Sequence, residues 1–524
     1  MSKNNGKQFI GGQRVASNAP SIDSIAAADY SKTGFVFSQA TVEEVDQAAQ
    51  AAHHAFKTYS QTSQSQRADF LDEIAKQIEE IGPTLQEVAS LETGLPLARL
   101  QGETGRVTGQ LRLFAQLIRR GDFYGARIDK ALPNRQPLPR PDLRQYKVGV
   151  GPVAVFGASN FPLAFSTAGG DTVAALAAGC PVVFKAHSGH MATAELVAQA
   201  IEKAISETQM PSGTFNMIFG SRVGANLVEH PLIQAAGFTG SLEGGMALFN
   251  LAQNRAQPIP FFAEMSSVNP VVVLPKALEV RAEKIAQETV ASFNMGCGQF
   301  CTKPGLILGV KGADFDLFIE SLKTATQQAA PQVMLNQGTL KSYQQGIADL
   351  NNEAGFDVLA VGQDATLVSH AQPYLFKADQ DVLLSGNAKL QHEVFGPMSI
   401  VIAFDDFETL VSGIHQLGGQ LTATIIHEDE DLSLAGELLT LLTNKAGRVL
   451  FNGYPTGVEV CDAMVHGGPF PATSDARGTS VGTGAIERFL RPVCYQNTPQ
   501  SLLPQALQDD NPLGIKRLVN GVII

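Results

Sequence analysis

The chain has 524 residues, of which 44% are hydrophobic and 17% are charged. This length and composition indicate a globular protein of several structural units and exclude a disordered or fibrous chain. Asp and Glu outnumber Lys and Arg by 50 to 38, and the net charge of −12 excludes a basic surface for nucleic acid or for an anionic membrane.

Helices are predicted for most of the first 120 residues, after a short leader. Thr41 followed by Glu44 forms a capping-box signal, which predicts the start of a helix that runs to about residue 59. Further helices are predicted over about 64–81 and 97–120, because apolar residues recur there at helical spacing. The leader lacks the apolar core of a signal peptide, and we expect a cytosolic protein with no membrane partner.

From about residue 150 the pattern changes to short apolar strands that alternate with helical segments. The strands of the first series are predicted at Val153–Phe156, Val182–Lys185, Phe215–Phe219 and Ala235–Thr239. Those of a second series are predicted at Ser267–Leu274, Leu306–Val310, Ser399–Phe404 and Ala423–Ile426. This alternation is typical of parallel sheets covered by helices, so the predicted fold class is α/β with two doubly wound parallel-sheet domains.

Two segments fall outside these domains. Lys130–Tyr146 contains four prolines and cannot be a helix, and the tail Gln500–Ile524 ends in apolar residues. Strand-like pieces of this kind need partners, which a second subunit would supply. We therefore expect a homodimer or homotetramer.

Five cysteines are too few and too scattered for a disulfide framework, so single thiols are available for chemistry. Cys301 lies in a glycine-containing loop between a predicted helix and an apolar strand, where a thiol can be exposed. A lone cysteine is more often a small buried hydrophobe than a nucleophile. Cys180 fits that description, and the role of Cys297 stays open.

Six motifs occur in an order that resembles the aldehyde dehydrogenase superfamily, over about residues 41–496. They are Gly157–Pro162, Lys185–His187, Gly237–Ser241, Phe262–Pro270, Gly298–Cys301 and Glu393–Pro397. The resemblance implies NAD(P)-dependent oxidation of a small-molecule aldehyde to a carboxylate through a covalent thioester. It also implies a variant Rossmann cofactor domain and a small β element for bridging and oligomerisation.

On this basis we predict a cofactor-binding domain from residues 1–125 and 146–262. A catalytic domain that carries the cysteine nucleophile is predicted from residues 263–455. The bridging element is predicted from residues 126–145 and 490–524.

The resemblance assigns catalytic roles to three residues. Cys301 adds to the aldehyde, and the Asn160 amide with the Cys301 backbone N–H stabilises the oxyanion of the adduct. Glu264 activates water to hydrolyse the thioester, a task that suits a carboxylate whose pKa is raised toward neutrality. Its apolar neighbours Phe262 and Met265 predict such a raised pKa.

The usual dinucleotide fingerprint of spaced glycines is absent after the early strands, and the resemblance implies a different set of cofactor contacts. These residues would hold the adenosine ribose, the pyrophosphate, the nicotinamide ribose and the nicotinamide ring. They are Lys185, Gly240, Ser241, Gly245, Glu393 and Phe395.

Cofactor preference is predicted from two residues. Ser188 stands where relatives that prefer NAD often carry an acidic residue, and its neutrality removes repulsion toward a 2′-phosphate. Arg222 follows a predicted strand and could bind that phosphate, or it could be an ordinary solvated loop cation. We predict NADP as the cofactor, with NAD usable.

Departures from the commonest motifs of the superfamily indicate which of its branches this sequence resembles. Ser266-Ser267 replace Gly-Gly, Ala158-Ser159 precede Asn160, and residues 478–482 lack the second acidic residue of many relatives. These features resemble the branch of the α-ketoglutaric semialdehyde (2,5-dioxopentanoate) dehydrogenases and the NADP-dependent fatty aldehyde dehydrogenase of luminous bacteria. The sequence favours oxidation of 2,5-dioxopentanoate to 2-oxoglutarate, with medium- or long-chain fatty aldehydes as the alternative.

An acidic substrate needs a cation in the pocket, since an unpaired buried anion is costly. Arg106 and Arg112 lie on the helix that lines the substrate entrance in relatives, and Arg112 could equally form a surface ion pair. Phe161, next to Asn160, is a further candidate substrate contact.

Two other chemistries were considered. A cysteine hydrolase or acyltransferase would need a histidine beside the thiol, and the Cys301 loop contains none. His187 and His190 are three residues apart, but no third ligand stands nearby in the sequence, and we predict no metal site.

Overall fold

A computed structural model describes residues 4–524 of the chain. Fourteen α-helices are present in this range. They span Val42–Tyr59, Gln64–Glu80, Gly82–Thr93, Leu97–Arg120, Gly170–Ala177, Met191–Glu207, Val223–Glu229, Leu242–Gln253, Pro275–Asn294, Ala313–Gln328, Gln337–Asn351, Gln380–Leu384, Phe407–Gln416 and Leu432–Thr443. The predicted capping box is confirmed, because the Thr41 and Glu44 side chains exchange hydrogen bonds with each other's backbone N–H.

The first sheet has seven strands. In spatial order they are Phe261–Glu264, Ala235–Thr239, Val153–Phe156, Val182–Lys185, Phe215–Ile218, Gln8–Ile10 and Gln13–Val15. The first five strands run parallel, which confirms the parallel arrangement of the four predicted strands and adds Phe261–Glu264. Side chains alternate between two buried faces: Val153 and Val155 join one core cluster, whereas Ala154 and Phe156 join another.

The second sheet also has seven strands. In spatial order they are Phe356–Val361, Tyr374–Ala378, Met398–Phe404, Leu306–Val310, Val271–Val273, Gln420–Ile426 and Ala446–Phe451. The edge strand Phe356–Val361 runs antiparallel to its neighbour, and the other six strands run parallel to one another. Helices cover both faces of the sheet with apolar side chains. Two doubly wound parallel sheets in one chain agree with the predicted α/β fold class.

A third sheet joins the proline-containing excursion to the tail. Its strands, in spatial order, are Leu490–Gln496, Leu143–Gly149, Arg127–Asp129, Leu518–Val519 and Val522–Ile523. Arg144 fastens the tail to this sheet, because its guanidinium bonds the Leu507 carbonyl at 2.7 Å and the Asp509 carboxylate at 2.9 Å.

The leader contains strands that the sequence analysis did not predict. Four strands lie before the first helix: Gln8–Ile10, Gln13–Val15, Ser21–Ile25 and Lys32–Ser38. The first two extend the first sheet, and the other two form a separate hairpin. Short strands of this kind are fixed by pairing with distant residues, such as Phe9 with Met217, which local patterns do not reveal. No helix within residues 4–524 is both long and apolar enough to cross a membrane.

The parallel strands of the first sheet bring several predicted site residues to one edge. Phe156 pairs in register with Lys185, and Thr239 pairs with Glu264, so these four strands end together. The carboxyl edge of an open parallel sheet is where such folds bind ligands. The fold therefore places the site at this edge.

Candidate active site

A cavity of about 1160 Å³ opens at the carboxyl edge of the first sheet and reaches the helix Gln337–Asn351 and the segment that carries Glu393 and Phe395. Eight of the predicted site residues line it: Asn160, Ser188, Gly240, Ser241, Glu264, Cys301, Glu393 and Phe395. Five others lie outside its lining: Arg106, Phe161, Lys185, Arg222 and Gly245. One continuous space thus connects the candidate nucleophile with most of the candidate cofactor contacts.

The Cys301 loop turns sharply where the helix Pro275–Asn294 ends. Gly296, Cys297 and Gly298 follow with φ of 56°, 61° and 63°, the left-handed region that glycine tolerates best. A Cβ on Gly298 would lie 2.2 Å from the Gly396 carbonyl oxygen, so only glycine allows this approach. The turn presents the half-buried Cys301 to the cavity and packs its loop against the segment that carries Phe395.

Cys301, Glu264 and His466 form the centre of the site. The Cys301 Sγ lies 3.4 Å from His466 Nε2, and the same nitrogen lies 2.8 Å from Glu264 Oε1. Glu264 and His466 are both almost fully buried. A thiol, an imidazole and a carboxylate in mutual contact can pass a proton among themselves.

His466 is the functional residue that the sequence reasoning missed. A histidine partner was sought only within the Cys301 loop, whereas His466 lies 165 residues further along the chain. It belongs to a long irregular segment that the first sheet holds in place, since Thr473 forms a bridge with Glu264. No spacing pattern connects positions 301 and 466, so only the tertiary fold reveals the contact.

The carboxylate of Glu264 differs from the prediction. Burial raises its pKa, but the charge of His466 and hydrogen bonds from His466, Ser480 and Cys301 lower it by more, and the net pKa is below the usual value. The expected raised pKa was therefore wrong, because neighbouring sequence showed only the apolar surroundings. Ser480 donates to Glu264 Oε2 at 2.6 Å and lies in the segment noted for lacking an acidic residue.

The Cys301 thiol has the opposite shift. Burial, then the charge of Glu264 and a hydrogen bond with it, raise its pKa well above the usual value. The two groups therefore hold one negative charge between them, on the carboxylate. The thiol stays protonated until a substrate changes its surroundings.

Asn160 lies beside the loop of the nucleophile. Its Nδ2 donates to the Gln299 carbonyl oxygen at 3.1 Å, and its own carbonyl accepts from the Arg99 guanidinium at 2.7 Å. Phe161 packs edge-on against Phe300 with the ring centres 5.4 Å apart, next to the cavity rather than in its lining. The Asn160 amide keeps a second N–H for a ligand.

The arginines predicted for a substrate carboxylate have different surroundings. Arg112 forms a two-pronged ion pair with Glu79, at 2.6 and 2.7 Å, on the protein surface. Arg106 is half-buried and donates to the Val458 carbonyl oxygen. Of the two, only Arg106 is directed toward the site.

Some of the predicted cofactor-binding residues are buried and others are exposed. Lys185 is enclosed at the end of its strand, and burial lowers its pKa to about 8. Glu393 is also enclosed, burial raises its pKa to about 8, and its Oε1 has no partner within residues 4–524. Arg222 is exposed and outside the cavity, whereas Lys341 and Lys389, which the sequence reasoning did not single out, line it.

Metal binding was considered at two places. The ligand atoms of Glu264, Cys301 and His466 lie within 4.8 Å of one another, a spacing that could accommodate one cation. His187 and His190 stack with ring centres 5.2 Å apart, and His190 is bonded at 2.8 Å to the Ala158 carbonyl. Packing and this hydrogen bond therefore explain why His187 and His190 lie close together, without a metal ion.

Comparisons with known proteins agree with this architecture. The model of the aldehyde dehydrogenase family matches residues 15–469. The chain is 78% identical over 523 residues to an alpha-ketoglutaric semialdehyde dehydrogenase of Acinetobacter baylyi, covering 100% of this chain and 99% of that protein. It is 50% identical to alpha-ketoglutaric semialdehyde dehydrogenase 2 of Azospirillum brasilense, covering 98% of this chain and 99% of that one.

Among solved structures, the fold resembles lactaldehyde dehydrogenase from Escherichia coli. The TM-score is 0.81 at 21% identity, over 94% of this chain and 99% of that one. The match of the family model over most of the sequence and the 78% identity to the Acinetobacter baylyi enzyme show that the chain belongs to the aldehyde dehydrogenase family.

Proposed function

We propose that this enzyme oxidises 2,5-dioxopentanoate to 2-oxoglutarate through a thioester on Cys301, with NADP as the preferred cofactor. The observation that carries the chemistry is the contact of Cys301 with His466 and, through it, with Glu264, in a cavity that also contains the candidate cofactor contacts. The substrate is proposed from the 78% identity to the Acinetobacter baylyi enzyme, which is named for this semialdehyde.

The residues present fit a nicotinamide dinucleotide. The cavity of about 1160 Å³ is large enough for an extended ligand. Ser241 and Gly240 stand where the helix Leu242–Gln253 begins, which suits an anionic pyrophosphate. The buried, unpartnered Oε1 of Glu393 is an acceptor suited to a ribose hydroxyl. When bound, the nicotinamide would accept the hydride released by the substrate.

The first step is addition of the thiol to the aldehyde. A carbon–sulfur bond forms at the carbonyl carbon while the thiol proton passes to Glu264, with His466 bridging the two groups. The low pKa of Glu264 and the high pKa of Cys301 mean that this transfer is unfavourable at rest. It becomes favourable when carbon–sulfur bond formation consumes the thiolate.

Asn160 then stabilises the negative oxygen of the adduct. Its second amide N–H and the Cys301 backbone N–H are fixed donors, which need no reorganisation when the charge develops. Loss of hydride from the former carbonyl carbon converts the adduct to a thioester. Removing one such donor lowers rates by roughly 10²–10³-fold in comparable enzymes.

Hydrolysis of the thioester completes the cycle. Glu264 first loses to solvent the proton it took from the thiol, and it then accepts a proton from water as the water adds to the acyl carbon. The carbon–sulfur bond breaks, Glu264 returns its proton to the thiolate, and the carboxylic acid that is released ionises in solution. Ser480 and His466 hold the two carboxylate oxygens of Glu264 in fixed positions, which orients the base toward the sulfur.

A substrate panel tests the proposed function. The full-length enzyme is assayed by cofactor reduction with 2,5-dioxopentanoate, pentanal, octanal and decanal. We expect the highest kcat/KM for 2,5-dioxopentanoate. A higher value for octanal or decanal would replace the proposal with fatty aldehyde oxidation, and the Cys301→Ala variant serves as the inactive control.

NADP preference rests on Ser188, which lines the cavity with a neutral hydroxyl, and on a nearby cation for the 2′-phosphate. Arg222 remains the proposed cation from the sequence, and Lys341 is a second one in the cavity lining. We expect a higher kcat/KM for NADP than for NAD, and a selective loss for NADP in Arg222→Ala or Lys341→Ala. Equal efficiency with both cofactors would contradict this preference.

The domain roles and the assembly are also proposals. The first sheet and its helices would bind the cofactor, the second would carry the nucleophile, and the third would join two subunits. The exposed apolar residues of the tail support the last role, because Val522, Ile523 and Ile524 are 61%, 74% and 61% exposed in one chain.

A further inference from the structure

Two guanidinium groups converge on one loop beside the active site. Arg106 donates to the Val458 carbonyl, and Arg448 donates to the Gly457 and Pro455 carbonyls at 2.8 and 2.7 Å. Since Gly457 and Val458 are adjacent in the chain, the two guanidinium groups are anchored to consecutive residues of one loop. They reach this loop from different parts of the fold, one from a helix and one from an edge strand.

Neither cation is neutralised by an ion pair within residues 4–524. All the hydrogen bonds that these two side chains form there go to backbone carbonyls, and the Nε of the half-buried Arg448 is enclosed without a partner. Burial lowers the pKa of both groups. By contrast, the surface residue Arg112, on the same helix as Arg106, is paired with Glu79. The charges of Glu103 and Glu459 raise the pKa of Arg106, whereas no carboxylate of the described chain is among the groups that act on Arg448. A partly buried cation without a counterion is costly, so the retention of Arg448 suggests an anionic ligand.

Both cations are within electrostatic reach of the nucleophile. After burial, Cys301 acts on the pKa of Arg448, and Glu103 and then Cys301 act on that of Arg106. The Glu103 carboxylate accepts from the Leu163 and Ala164 backbone N–H groups through Oε1, and its buried Oε2 has no hydrogen-bond partner within residues 4–524. An anion between the two guanidinium groups would therefore lie near the reacting sulfur.

We propose that Arg106 and Arg448, held by the loop 455–458, form the binding site for the carboxylate of an acidic aldehyde. This inference rests on the proposed function and assigns its substrate recognition to a pair of residues. Arg448 contributes its free Nε, and Arg106 the guanidinium N–H groups that Val458 does not use. Two charge-assisted donors on one carboxylate fix both its position and its orientation.

The substrate geometry agrees with this arrangement. In 2,5-dioxopentanoate the carboxylate lies at the opposite end of a short chain from the aldehyde carbon. When that carbon is bonded to the sulfur of Cys301, we expect the carboxylate to extend toward the loop that the arginines hold. A long apolar aldehyde would bring no charge to these cations.

The test compares an acidic aldehyde with a neutral one of the same length. Arg448→Met and Arg106→Met keep much of the side-chain volume but remove the charge, and Arg112→Met is the matched control. We expect kcat/KM for 2,5-dioxopentanoate to fall roughly 10- to 100-fold in the first two variants, mainly through KM. The value for pentanal should stay unchanged or rise, and the control should match the unmodified enzyme.

A second readout covers the case in which a variant folds poorly. Binding of 2-oxoglutarate to the full-length enzyme is measured by calorimetry for Arg448→Lys, which keeps the charge but loses the forked geometry. We expect weaker binding than in the unmodified enzyme. Unchanged 2-oxoglutarate binding, or an equal loss for both aldehydes, would overturn the arginine site and show that Arg448 only supports the loop.

These outcomes separate the two proposals. If the unmodified enzyme prefers octanal or decanal to 2,5-dioxopentanoate, the proposed function itself fails. If it prefers 2,5-dioxopentanoate and both Met variants keep that preference, only the arginine site fails.

Discussion

At the scale of single residues, the reactivity of the site depends on whether its one negative charge lies on Cys301 or on Glu264. Burial opposes ionisation of both Cys301 and Glu264, but His466 and Ser480 stabilise only the carboxylate. The resting thiol is therefore neutral. A neutral thiol is a poor nucleophile, so its reactivity depends on transferring the proton within the contact to His466 and Glu264.

Replacing Glu264 with Gln should affect the thiol and turnover in opposite ways. The charge of Glu264 is the second cause, after burial, of the raised pKa of Cys301. Its removal should lower that pKa, so alkylation of Cys301 by iodoacetamide, followed by mass spectrometry, should reach half its maximal rate at lower pH. Turnover should fall roughly 10²–10⁴-fold, because the general base is lost.

The control for this prediction is Glu437→Gln, which changes an exposed carboxylate on the helix Leu432–Thr443. It should leave both measurements unchanged. If the pH of half-maximal alkylation in Glu264→Gln stayed the same or rose, the charge of Glu264 would not be a cause of the raised pKa of Cys301.

Replacing His466 with Gln should move the pH profile of kcat. The charge of His466 and its hydrogen bond lower the pKa of Glu264 against the effect of burial. Without that charge the pKa rises, so the carboxylate becomes protonated at a higher pH as acid is added. The acidic limb of the profile should therefore shift to higher pH, with reduced kcat at the plateau.

His54→Gln, at an exposed histidine, is the control and should keep the original profile. A limb that does not move in His466→Gln would mean that Glu264 is not the group that titrates in turnover.

At the scale of structural elements, a turn decides whether the nucleophile reaches the cavity. Three consecutive left-handed residues, Gly296–Gly298, follow the helix Pro275–Asn294. The turn also brings Gly298 against the Gly396 backbone, which fixes the segment containing Glu393 and Phe395 relative to Cys301. One local geometry thus positions the nucleophile and two candidate cofactor contacts together.

Gly298→Ala should test that geometry. The added Cβ would meet the Gly396 oxygen at 2.2 Å and would also strain a backbone at φ of 63°. We expect a loss of stability of about 1–3 kcal/mol and a larger loss of activity, because the displaced atoms belong to the site. Chemical denaturation and steady-state kinetics measure the two effects.

Gly102→Ala provides the contrast. Nothing lies within 4 Å of a Cβ at this helical position. Alanine is the better helix former, so this variant should be neutral or slightly more stable. If Gly298→Ala behaved in the same way, the close approach of the loop to Gly396 would not constrain the site.

At the scale of the whole molecule, the site is assembled from distant parts of the chain. Glu264 ends a strand of the first sheet, Cys301 precedes a strand of the second, and His466 comes from the irregular segment that follows it. A thiol beside a histidine and a carboxylate would also suit a hydrolase. Family membership therefore decides the reaction class, and the local geometry decides how the residues act.

The third sheet leads to a prediction about assembly. Its last strand, Val522–Ile523, is an exposed apolar edge, and such edges pair with other strands. Ile523→Lys should weaken subunit association because a charge would be buried at the contact. Sedimentation velocity should show a shift from dimer or tetramer toward monomer.

Leu432→Lys, at an exposed apolar residue of the helix Leu432–Thr443, is the matched control and should keep the original sedimentation coefficient. If Ile523→Lys sedimented like the unmodified enzyme, the tail would not be part of the subunit contact.

The sequence by itself determined the α/β fold class and most of the parallel strands of the two large sheets. The parallel strands are buried on both faces and are therefore short, continuous apolar runs, which can be recognised in the sequence without knowing which strands pair with them. It also determined Cys301, Glu264 and Asn160 as site candidates, since each lies in a motif that is local in the chain. The cavity contains all three, as expected of residues at strand ends and loops.

Tertiary structure alone decided the partners and charges of those residues. His466 and Ser480 lie about 200 residues from Glu264, at separations of 202 and 216, and they reverse the expected shift of its pKa. The sequence likewise contained no sign of a role for Arg448, because only the folded structure shows that it binds the same loop as Arg106. A pKa reflects every charge and hydrogen bond within a few ångströms, and the chain order does not record which distant groups folding brings that close.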